Sequence, residues 1–564
     1  MNVGNNVGNN IGNHASDNAG RTISRSAGRN ERTYDAIVIG GGHNGLVAAA
    51  YLGRAGYQVL VLEKRKVLGG AATTEEVFPG FYADTGSFDA SLFLPQVVAE
   101  LNLRKHGLRF IESPVLAFAP QPDGQAVTLW RDPAHNADEL ARFSRKDADQ
   151  YPYFQYWLAR LAEILRVTLT LPPPDPVDYR IPELIPWLKV GRELKRLGQT
   201  ELMDFLRILP IPIADLLDEW FESPVLKGLF GSTGVLGSSL GPSSVGTAYL
   251  FLYHFLGAPH GQLRSSRLVR GGMVQLADAL AREGISRGVE IQCEAEVDEI
   301  ILEGDRVAGV VLKDGTQYWG RAVLSNASPR QTFFELVGAN LLEVRFVREL
   351  KNIRYRGSTA RVILGLSDFP HFRATAKRRS DIMEGTLLSG HTVICPSLEY
   401  LEQAHDDAKY GDLPRQPYLE IVVPTILDAT PGPKGQHLML INVQYVPYAL
   451  REGTWDVERA RLGAQVVAML ESYAPGFQDL VQHCLVLAPP DLEERFGLPG
   501  CCLYHGEISL DQLLFMRPVP GYANYRTPVQ NLYLCGAGTH PGGGVTGAPG
   551  FNAAREVIKA LGKR

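Results

Sequence analysis

The chain has 564 residues, of which 45% are hydrophobic and 21% are charged, and its formal net charge is −5. These proportions are typical of a globular protein with a large buried core, and they exclude a fibrous repeat and a wholly disordered chain. A nucleic-acid-binding protein is expected to carry a basic surface, so the acidic balance predicts no nucleic-acid partner.

The first 33 residues are predicted to be disordered. They contain near-repeats of Asn-Val-Gly-Asn, then a stretch rich in serine, arginine and asparagine, and no aromatic residue. No continuous apolar run fits a secretory signal peptide. The scattered arginines resemble an organelle presequence, but Asp17 and Glu31 run against that interpretation.

A glycine-rich turn follows directly after the first predicted strand. Residues 35–40 indicate a buried parallel strand, because their apolar side chains are continuous and partly β-branched. Gly40, Gly42 and Gly45 form the pattern G-x-G-x-x-G, and a helix is predicted over 46–52. In this arrangement the helix N-terminus binds a pyrophosphate, and the glycines let the backbone approach it closely.

A second strand, predicted over 58–63, supplies the acid that completes the pattern. Its last residue, Glu63, is placed to accept hydrogen bonds from the ribose hydroxyls of a bound adenosine. Strand, glycine turn, helix, strand and acid together predict a Rossmann-type dinucleotide site.

The segment after Glu63 favours FAD over NAD as the cofactor. Lys64 and Arg65 precede the turn Gly69-Gly70-Ala71, and this order matches an extended flavoprotein pattern in which the chain approaches the cofactor a second time. The glycines are the stronger signal, because the two basic residues would equally suit a solvated surface turn.

A second glycine cluster lies near the C-terminus. Residues 531–535 indicate a strand that leads into a glycine-rich loop over 536–550, and 551–561 indicate a helix. Three glycines of the loop repeat the G-x-G-x-x-G spacing, but no strand ending in an acid follows, so a second dinucleotide site is not predicted. The loop is expected to hold the flavin end of the same FAD through backbone N–H groups.

Taken together, these motifs resemble the phytoene desaturase family of FAD enzymes, within the wider amine oxidase-type flavoproteins. The chain is similar to two branches of that family, the desaturase-like β-carotene ketolases and the group named pyridine nucleotide-disulfide oxidoreductase domain-containing protein 2. The resemblance extends over nearly the whole chain from Tyr34. The shared segments are Gly-Gly-Gly-His43-Asn44-Gly-Leu-Val, Gly69-Gly-Ala-Ala-Thr-Thr, Glu219-Trp-Phe-Glu-Ser, Ser509-Leu-Asp-Gln and Gly538-Thr-His-Pro-Gly-Gly.

The resemblance implies an α/β fold in which a Rossmann-type FAD-binding domain is interleaved with an α+β substrate domain. Runs such as 359–366 and 418–423 suggest a sheet that roofs the substrate cavity. The expected division is a disordered segment over 1–33, FAD-binding parts over 34–111, 268–330 and 503–564, and substrate parts over 112–267 and 331–502.

FAD is the implied cofactor, and in similar enzymes the strand that holds Val297 contacts the adenine through its backbone. The residues predicted to bind FAD are Gly40, Gly42, His43, Asn44, Gly45, Glu63, Lys64, Arg65, Gly69, Gly70, Ala71, Val297, Gly536, Ala537, Gly544 and Val545.

Residues 228–263 contain no Asp, Glu, Lys or Arg and carry the weaker signal for the substrate. They indicate either buried core or the wall of an apolar tunnel, and Gly and Pro interrupt them too often for a membrane span. An apolar small-molecule substrate is expected, together with peripheral association with a membrane. The expected location is the cytoplasm or a membrane surface, or the mitochondrial matrix in a eukaryote. The sequence leaves the oligomeric state open.

The favoured function is FAD-dependent desaturation or ketolation of a long isoprenoid or carotenoid-like substrate by hydride transfer to the flavin. One alternative is an oxidoreductase with a non-carotenoid or regulatory role, and another is a non-catalytic protein that binds prenyl lipids. The sequence identifies no catalytic residue and predicts no metal site, and His43 and His540 are expected to shape loops. The six cysteines show no C-x-x-C spacing, so a redox disulfide is disfavoured.

Overall fold

The computed structural model describes residues 33–175, 181–257, 267–376 and 384–562. The segment predicted to be disordered therefore lies outside the described residues, except for Thr33. Part of the uncharged stretch, residues 258–263, also lies outside them.

In the described chain, seven strands form a first sheet that is built around β1 (Thr33–Ile39). Every residue of this strand after Thr33 is buried, as expected for a parallel strand covered on both faces. The other strands are β2 (Val59–Leu62), β9 (Glu290–Gln292), β10 (Val297–Glu303), β11 (Arg306–Leu312), β12 (Gln317–Ser325) and β18 (Leu532–Leu534).

The parallel part of this sheet has the strand order β9-β2-β1-β12-β18. From β1 the chain proceeds to β2 and then β9 on one side, whereas the later strands β12 and β18 lie on the other side, so the order reverses between β1 and β12. Such a reversal opens a crevice at the carboxyl ends of the two strands, where doubly wound folds bind their ligands. β10 and β11 extend the sheet as an antiparallel hairpin.

A second sheet also has seven strands in the described chain. They are β6 (Val115–Pro120), β7 (Ala126–Trp130), β13 (Thr359–Leu366), β14 (His391–Ile394), β15 (Tyr418–Val422), β16 (His437–Gln444) and β17 (Val481–Leu487). Their order across the sheet is β17-β13-β16-β15-β14-β6-β7. β13 pairs on both sides and is buried along its whole length, as are β14 and β15.

Two short antiparallel pairs of strands lie outside these two sheets. They are β3 (Thr74–Phe78) with β4 (Phe81–Asp84), and β5 (Phe110–Glu112) with β8 (Arg267–Val269).

The helices cover both sheets. The first nine are α1 (His43–Arg54), α2 (Pro95–Glu100), α3 (Ala134–Ala141), α4 (Arg145–Thr168), α5 (Ile181–Leu184), α6 (Leu188–Ile208), α7 (Ile213–Trp220), α8 (Pro224–Val235) and α9 (Thr247–His254). The others are α10 (Val274–Ser286), α11 (Val344–Lys351), α12 (Arg373–Ala376), α13 (Glu384–Leu387), α14 (Leu398–Lys409), α15 (Trp455–Tyr473), α16 (Phe477–Leu480), α17 (Pro489–Phe496) and α18 (Ala548–Leu561). α1 packs against α10 and α18, which places the first and last parts of the described chain side by side.

The predicted fold class is confirmed, and the predicted elements lie close to the observed ones. The strand, turn, helix and strand that begin the dinucleotide unit are β1, α1 and β2, and the predicted C-terminal helix is α18. Strands of the first sheet come from three separated parts of the chain. The division into six segments stays a prediction. None of the described helices combines the length and the apolar character that crossing a membrane requires.

Candidate functional site

The crevice between β1 and β12 is the floor of the candidate site. Gly40 follows β1, and its N–H donates to the Leu62 carbonyl of β2. Asn326 follows β12, and its backbone N–H donates to Ile39 while its side-chain amide lies 3.3 Å from the Gly40 carbonyl. These bonds fix the glycine turn at the point where the strand order reverses.

The glycines of this turn stand where a side chain would collide with the neighbouring backbone or with Asn326. A Cβ on Gly42 would lie 2.7 Å from Asn326 Nδ2, and one on Gly45 would lie 2.2 Å from the Gly40 carbonyl oxygen. A Cβ on Gly69 would lie 2.2 Å from the Ala72 carbonyl oxygen. The two glycine turns therefore pack tightly on each other, and Gly69 N–H donates to the Gly41 carbonyl.

A cavity, here called the dinucleotide cavity, opens at this crevice and is lined by Gly40, Glu63 and Asn326 among others. The Glu63 side chain is almost fully buried. Its Oε2 accepts a 2.7 Å hydrogen bond from Gly41 N–H, and its Oε1 accepts one from Arg65 N–H. A carboxylate has about four acceptor positions, so both oxygens keep capacity for ribose hydroxyls. This geometry fits the adenosine role that the sequence predicts for Glu63.

The two basic residues after Glu63 differ in their surroundings. Arg65 forms a 2.7 Å ion pair with Glu75 and donates to the Gly70 carbonyl, so it ties the Gly69-Gly70 turn to β3. Lys64 is exposed at the rim of the same cavity. Both side chains line the cavity, together with Val297 of β10.

The C-terminal loop closes the site from the opposite side. A Cβ on Gly536 would lie 2.6 Å from the Asn326 carbonyl oxygen, so the loop packs directly on the residue that follows β12. Ala537 lines the dinucleotide cavity, whereas Gly544 and Val545 line a second cavity that adjoins it. Fourteen of the sixteen predicted residues line these two adjoining cavities, whereas Gly45 and Gly536 pack against the carbonyls of Gly40 and Asn326. The individual cofactor roles stay predictions.

Three buried polar atoms at the cavity wall have no hydrogen-bond partner among the described residues. They are His43 Nε2, Asn44 Oδ1 and His505 Nδ1, and all three residues line the dinucleotide cavity. Buried polar atoms are normally paired, so these atoms point to a ligand. The first turn of α1 likewise has no side-chain cap on Gly42, which leaves its N–H groups for a phosphate.

These histidines are neutral at neutral pH. Burial lowers the pKa of His43 to about 4 and that of His505 also to about 4, the latter with help from the nearby Arg517 charge. Burial lowers the pKa of His540 to about 4 as well, and its Nε2 lies 2.9 Å from the Thr168 carbonyl. His540 therefore ties the C-terminal loop to the end of α4, in agreement with a loop-shaping role.

Arg517 is a further residue that the sequence motifs did not single out. Its guanidinium is buried and donates to backbone carbonyls of the C-terminal loop and of residues 504–512. The accepting residues are Tyr504, Gly506, Glu507, Gln512, Ala537 and Thr539. No spacing rule could have found it, because its partners are carbonyls and carry no sequence signal.

The second cavity adjoins the dinucleotide cavity and has a largely apolar wall. The uncharged stretch supplies Thr233 and Leu236 from α8 and its end, and His254 from α9. The stretch was predicted to be either buried core or tunnel wall. Most residues of α8 and α9 are buried, and a few of the stretch line the second cavity, so it contributes to the core and to the cavity wall. The residues common to both cavities are His43, Ala71, Phe496, Leu498, Leu503 and Ala537.

Residues 45–366 match the family described as flavin containing amine oxidoreductase. The chain is 38% identical to mouse pyridine nucleotide-disulfide oxidoreductase domain-containing protein 2, over 95% of both chains. It is 26% identical to a limonene dehydrogenase component of Castellaniella defragrans, covering 94% of this chain and 95% of that protein. It is also 26% identical to the neurosporene-forming phytoene desaturase of Rhodobacter capsulatus, over 90% and 91% of the two chains.

Among solved structures, cyclohexylamine oxidase from Brevibacterium oxydans superimposes with a TM-score of 0.55 at 16% identity, covering 94% of this chain and 99% of that one. At this identity the likeness concerns the fold alone. Together the similarities confirm the predicted resemblance, the FAD cofactor and the oxidoreductase class. The predicted non-catalytic alternative is therefore set aside.

Proposed function

Because the chain belongs to the family of flavin-containing amine oxidoreductases, we propose that it oxidises a long apolar substrate of the isoprenoid class. The observation that carries this proposal is the second cavity, which has a largely apolar wall and adjoins the dinucleotide cavity along six common residues. Each methylene that leaves water for such a wall contributes about 0.8 kcal/mol, so a hydrocarbon chain binds there with few polar contacts. Relatives named limonene dehydrogenase and phytoene desaturase agree with this substrate class.

Bound FAD supplies the acceptor for a hydride from the substrate. The residues of the chain position both molecules and keep water away from them. The neutral His43 and His505 present no charge to the region where the two cavities meet. Tyr504 stays protonated because burial raises its pKa well above the usual value, and its hydroxyl donates to the Leu236 carbonyl at the wall of the second cavity.

The test is reduction of the flavin by a substrate in the absence of oxygen. Purified protein should show the absorption spectrum of bound FAD, and an isoprenoid polyene added anaerobically should bleach it. A flavin that no apolar isoprenoid reduces, in a protein that retains its FAD, would contradict the proposal.

A second candidate is an oxidoreductase with a non-carotenoid or regulatory role. It is favoured by the higher identity, 38%, to the mouse relative than to the phytoene desaturase. Expression in a host that makes carotenoids separates the two candidates. A changed pigment profile supports carotenoid chemistry, and an unchanged profile with an active, FAD-loaded enzyme supports the second candidate.

The proposal includes peripheral association with an anionic membrane surface. Ile181 begins α5, Ile185 begins a short 3-10 helix over Ile185–Trp187, and Leu188 begins α6. These three side chains are 75%, 58% and 67% exposed. The exposed Lys189 and Arg192 lie directly beside them. An apolar face next to basic residues is typical of a helix that lies in the membrane interface.

Sedimentation with vesicles that contain phosphatidylglycerol tests this association. Ile185→Asp should reduce the fraction bound to vesicles, because it places a negative charge at the lipid contact. Val344→Asp is the matched control, since Val344 is 86% exposed on α11. Equal binding of the wild type and both variants, or no binding at all, would contradict membrane association at this face.

A further inference from the structure

A row of polar side chains crosses the apolar wall of the second cavity. The strand register places Arg361 of β13 opposite Asn442 of β16, and Asn442 opposite Glu420 of β15. His391 at the start of β14 completes the row, since its Nδ1 lies 3.1 Å from Glu420 Oε1. All four residues line the second cavity.

The acidic member of the row is held by its neighbours. Asn442 Nδ2 donates a 2.9 Å hydrogen bond to Glu420 Oε2, while His391 stands at the other oxygen. Glu420 and His391 are 2% and 4% exposed. Glu420 is therefore fixed within the sheet by neighbours on both adjacent strands.

Arg361 is the basic member and is only 6% exposed. Its Nη2 donates to the Gly86 carbonyl, and its guanidinium carbon lies 4.7 Å from the centre of the Phe88 ring. Its Nε and Nη1 are buried and have no hydrogen-bond partner among the described residues. Three N–H donors of a cation are thus left at the wall of a cavity, an arrangement that is costly unless an acceptor fills it.

We propose that the substrate carries a carboxylate, which accepts hydrogen bonds from Arg361 Nε and Nη1 while its apolar chain occupies the rest of the second cavity. Carboxylate oxygens are strong acceptors for guanidinium donors. Elsewhere the wall of the second cavity carries apolar side chains, among them Leu92, Leu236 and Leu503. An acid at one end and a hydrocarbon at the other match this sequence of polar and apolar wall.

The inference rests on the proposed function, since it takes the second cavity as the substrate site. It also predicts a preference for an acid over an amine, because Glu420 and Asp89 in the cavity wall already accept hydrogen bonds from neighbouring groups, whereas Arg361 keeps donors without partners among the described residues. The predicted ligand class is therefore an isoprenoid acid and not an amine.

The experiment titrates the FAD-loaded enzyme with farnesoic acid, methyl farnesoate and farnesylamine, and follows the change in the flavin absorption spectrum. The three probes have the same hydrocarbon chain and differ only at the polar end. Farnesoic acid should bind about tenfold or more tightly than the ester, the factor that one charge-assisted hydrogen bond supplies. The amine should bind more weakly than the acid.

Arg361→Gln should remove the preference, so that the acid and the ester bind with similar affinity, and Arg361→Lys should keep part of the preference. Arg461→Gln is the matched control, because the Arg461 side chain is 72% exposed on α15. FAD content and thermal unfolding establish that each variant is folded. If Arg361→Gln does not fold, the comparison of probes on the wild type still decides the question.

The outcomes separate this inference from the proposed function. Equal affinity of acid and ester in the wild type overturns the carboxylate assignment and leaves the proposed function standing. A preference for the acid that persists in folded Arg361→Gln has the same consequence. No spectral change with any of the three probes overturns the second cavity as the substrate site, and the carboxylate assignment with it.

Discussion

The Gly45→Ala substitution tests the central feature of the cofactor site. Its new Cβ would lie 2.2 Å from the Gly40 carbonyl oxygen, 3.2 Å from Asn326 Nδ2 and 3.3 Å from Val38 Cγ1. The Gly40 carbonyl is held in place, because it accepts a hydrogen bond from Asn326 Nδ2 and shares its peptide plane with Gly41 N–H, which donates to Glu63. The start of α1 must therefore move by roughly 1 Å to restore an ordinary contact, and such overpacking in a core costs about 3 kcal/mol.

The same movement displaces the helix N-terminus that is predicted to bind the pyrophosphate. We expect Gly45→Ala to lose most of its FAD, measured as the ratio of flavin to protein absorbance, and to lower the free energy of unfolding in urea. Gly191→Ala in α6 is the control, since a Cβ there would meet no atom within 4 Å. That control should keep its FAD and gain up to about 1 kcal/mol from the higher helix propensity of alanine. A Gly45→Ala protein with full FAD content and wild-type stability would refute the reasoning.

Three further predictions concern Glu63, Arg517 and the pH dependence of stability. Glu63→Gln should weaken FAD binding by about tenfold or more, because an amide replaces the charged acceptor at the buried Gly41 N–H. Unchanged affinity in an equilibrium titration of the apoprotein with FAD would contradict the adenosine role. Arg517→Met should destabilise the protein by about 3 kcal/mol and reduce FAD retention, because buried backbone carbonyls lose their hydrogen-bond donors. The exposed Arg461 is the control, and Arg461→Met should leave the unfolding temperature and the FAD content unchanged. The free energy of unfolding should fall as the pH is lowered from about 6.5 towards 4, because His43, His505 and His540 have folded-state pKa values of about 4 and gain protons only on unfolding. Each contributes at most about 1.4 kcal/mol per pH unit in this range. His540→Gln should make the pH dependence shallower, as measured by urea unfolding at several pH values. An identical slope in the variant would contradict the assignment.

The buried Asp84 acts against this pH dependence. Burial raises its pKa to about 6, so its contribution to stability increases as the pH falls between about 6 and its unfolded value. Three histidines oppose one aspartate in that range, and the net free energy of unfolding is still expected to decrease on acidification.

The dinucleotide unit could be predicted from the sequence because its determinants are local. Gly40, Gly42 and Gly45 are required by the turn between one strand and the following helix, and Glu63 ends the next strand, so their chemistry is encoded by spacing along 30 residues or fewer. The buried strands and the C-terminal helix are local in the same sense, since continuous apolar runs and a glycine boundary define them.

The second cavity and its polar row depended on the tertiary structure. Arg361, His391, Glu420 and Asn442 lie on four strands that are separated by up to 81 residues, and only strand register brings them together. Arg517 is similar, because backbone carbonyls accept its hydrogen bonds and any residue can supply a carbonyl. By itself the sequence determined the cofactor and the fold that holds it. Pairing between distant strands decided which polar side chains meet at the second cavity, because residues that face each other across a sheet come from parts of the chain that are far apart in sequence.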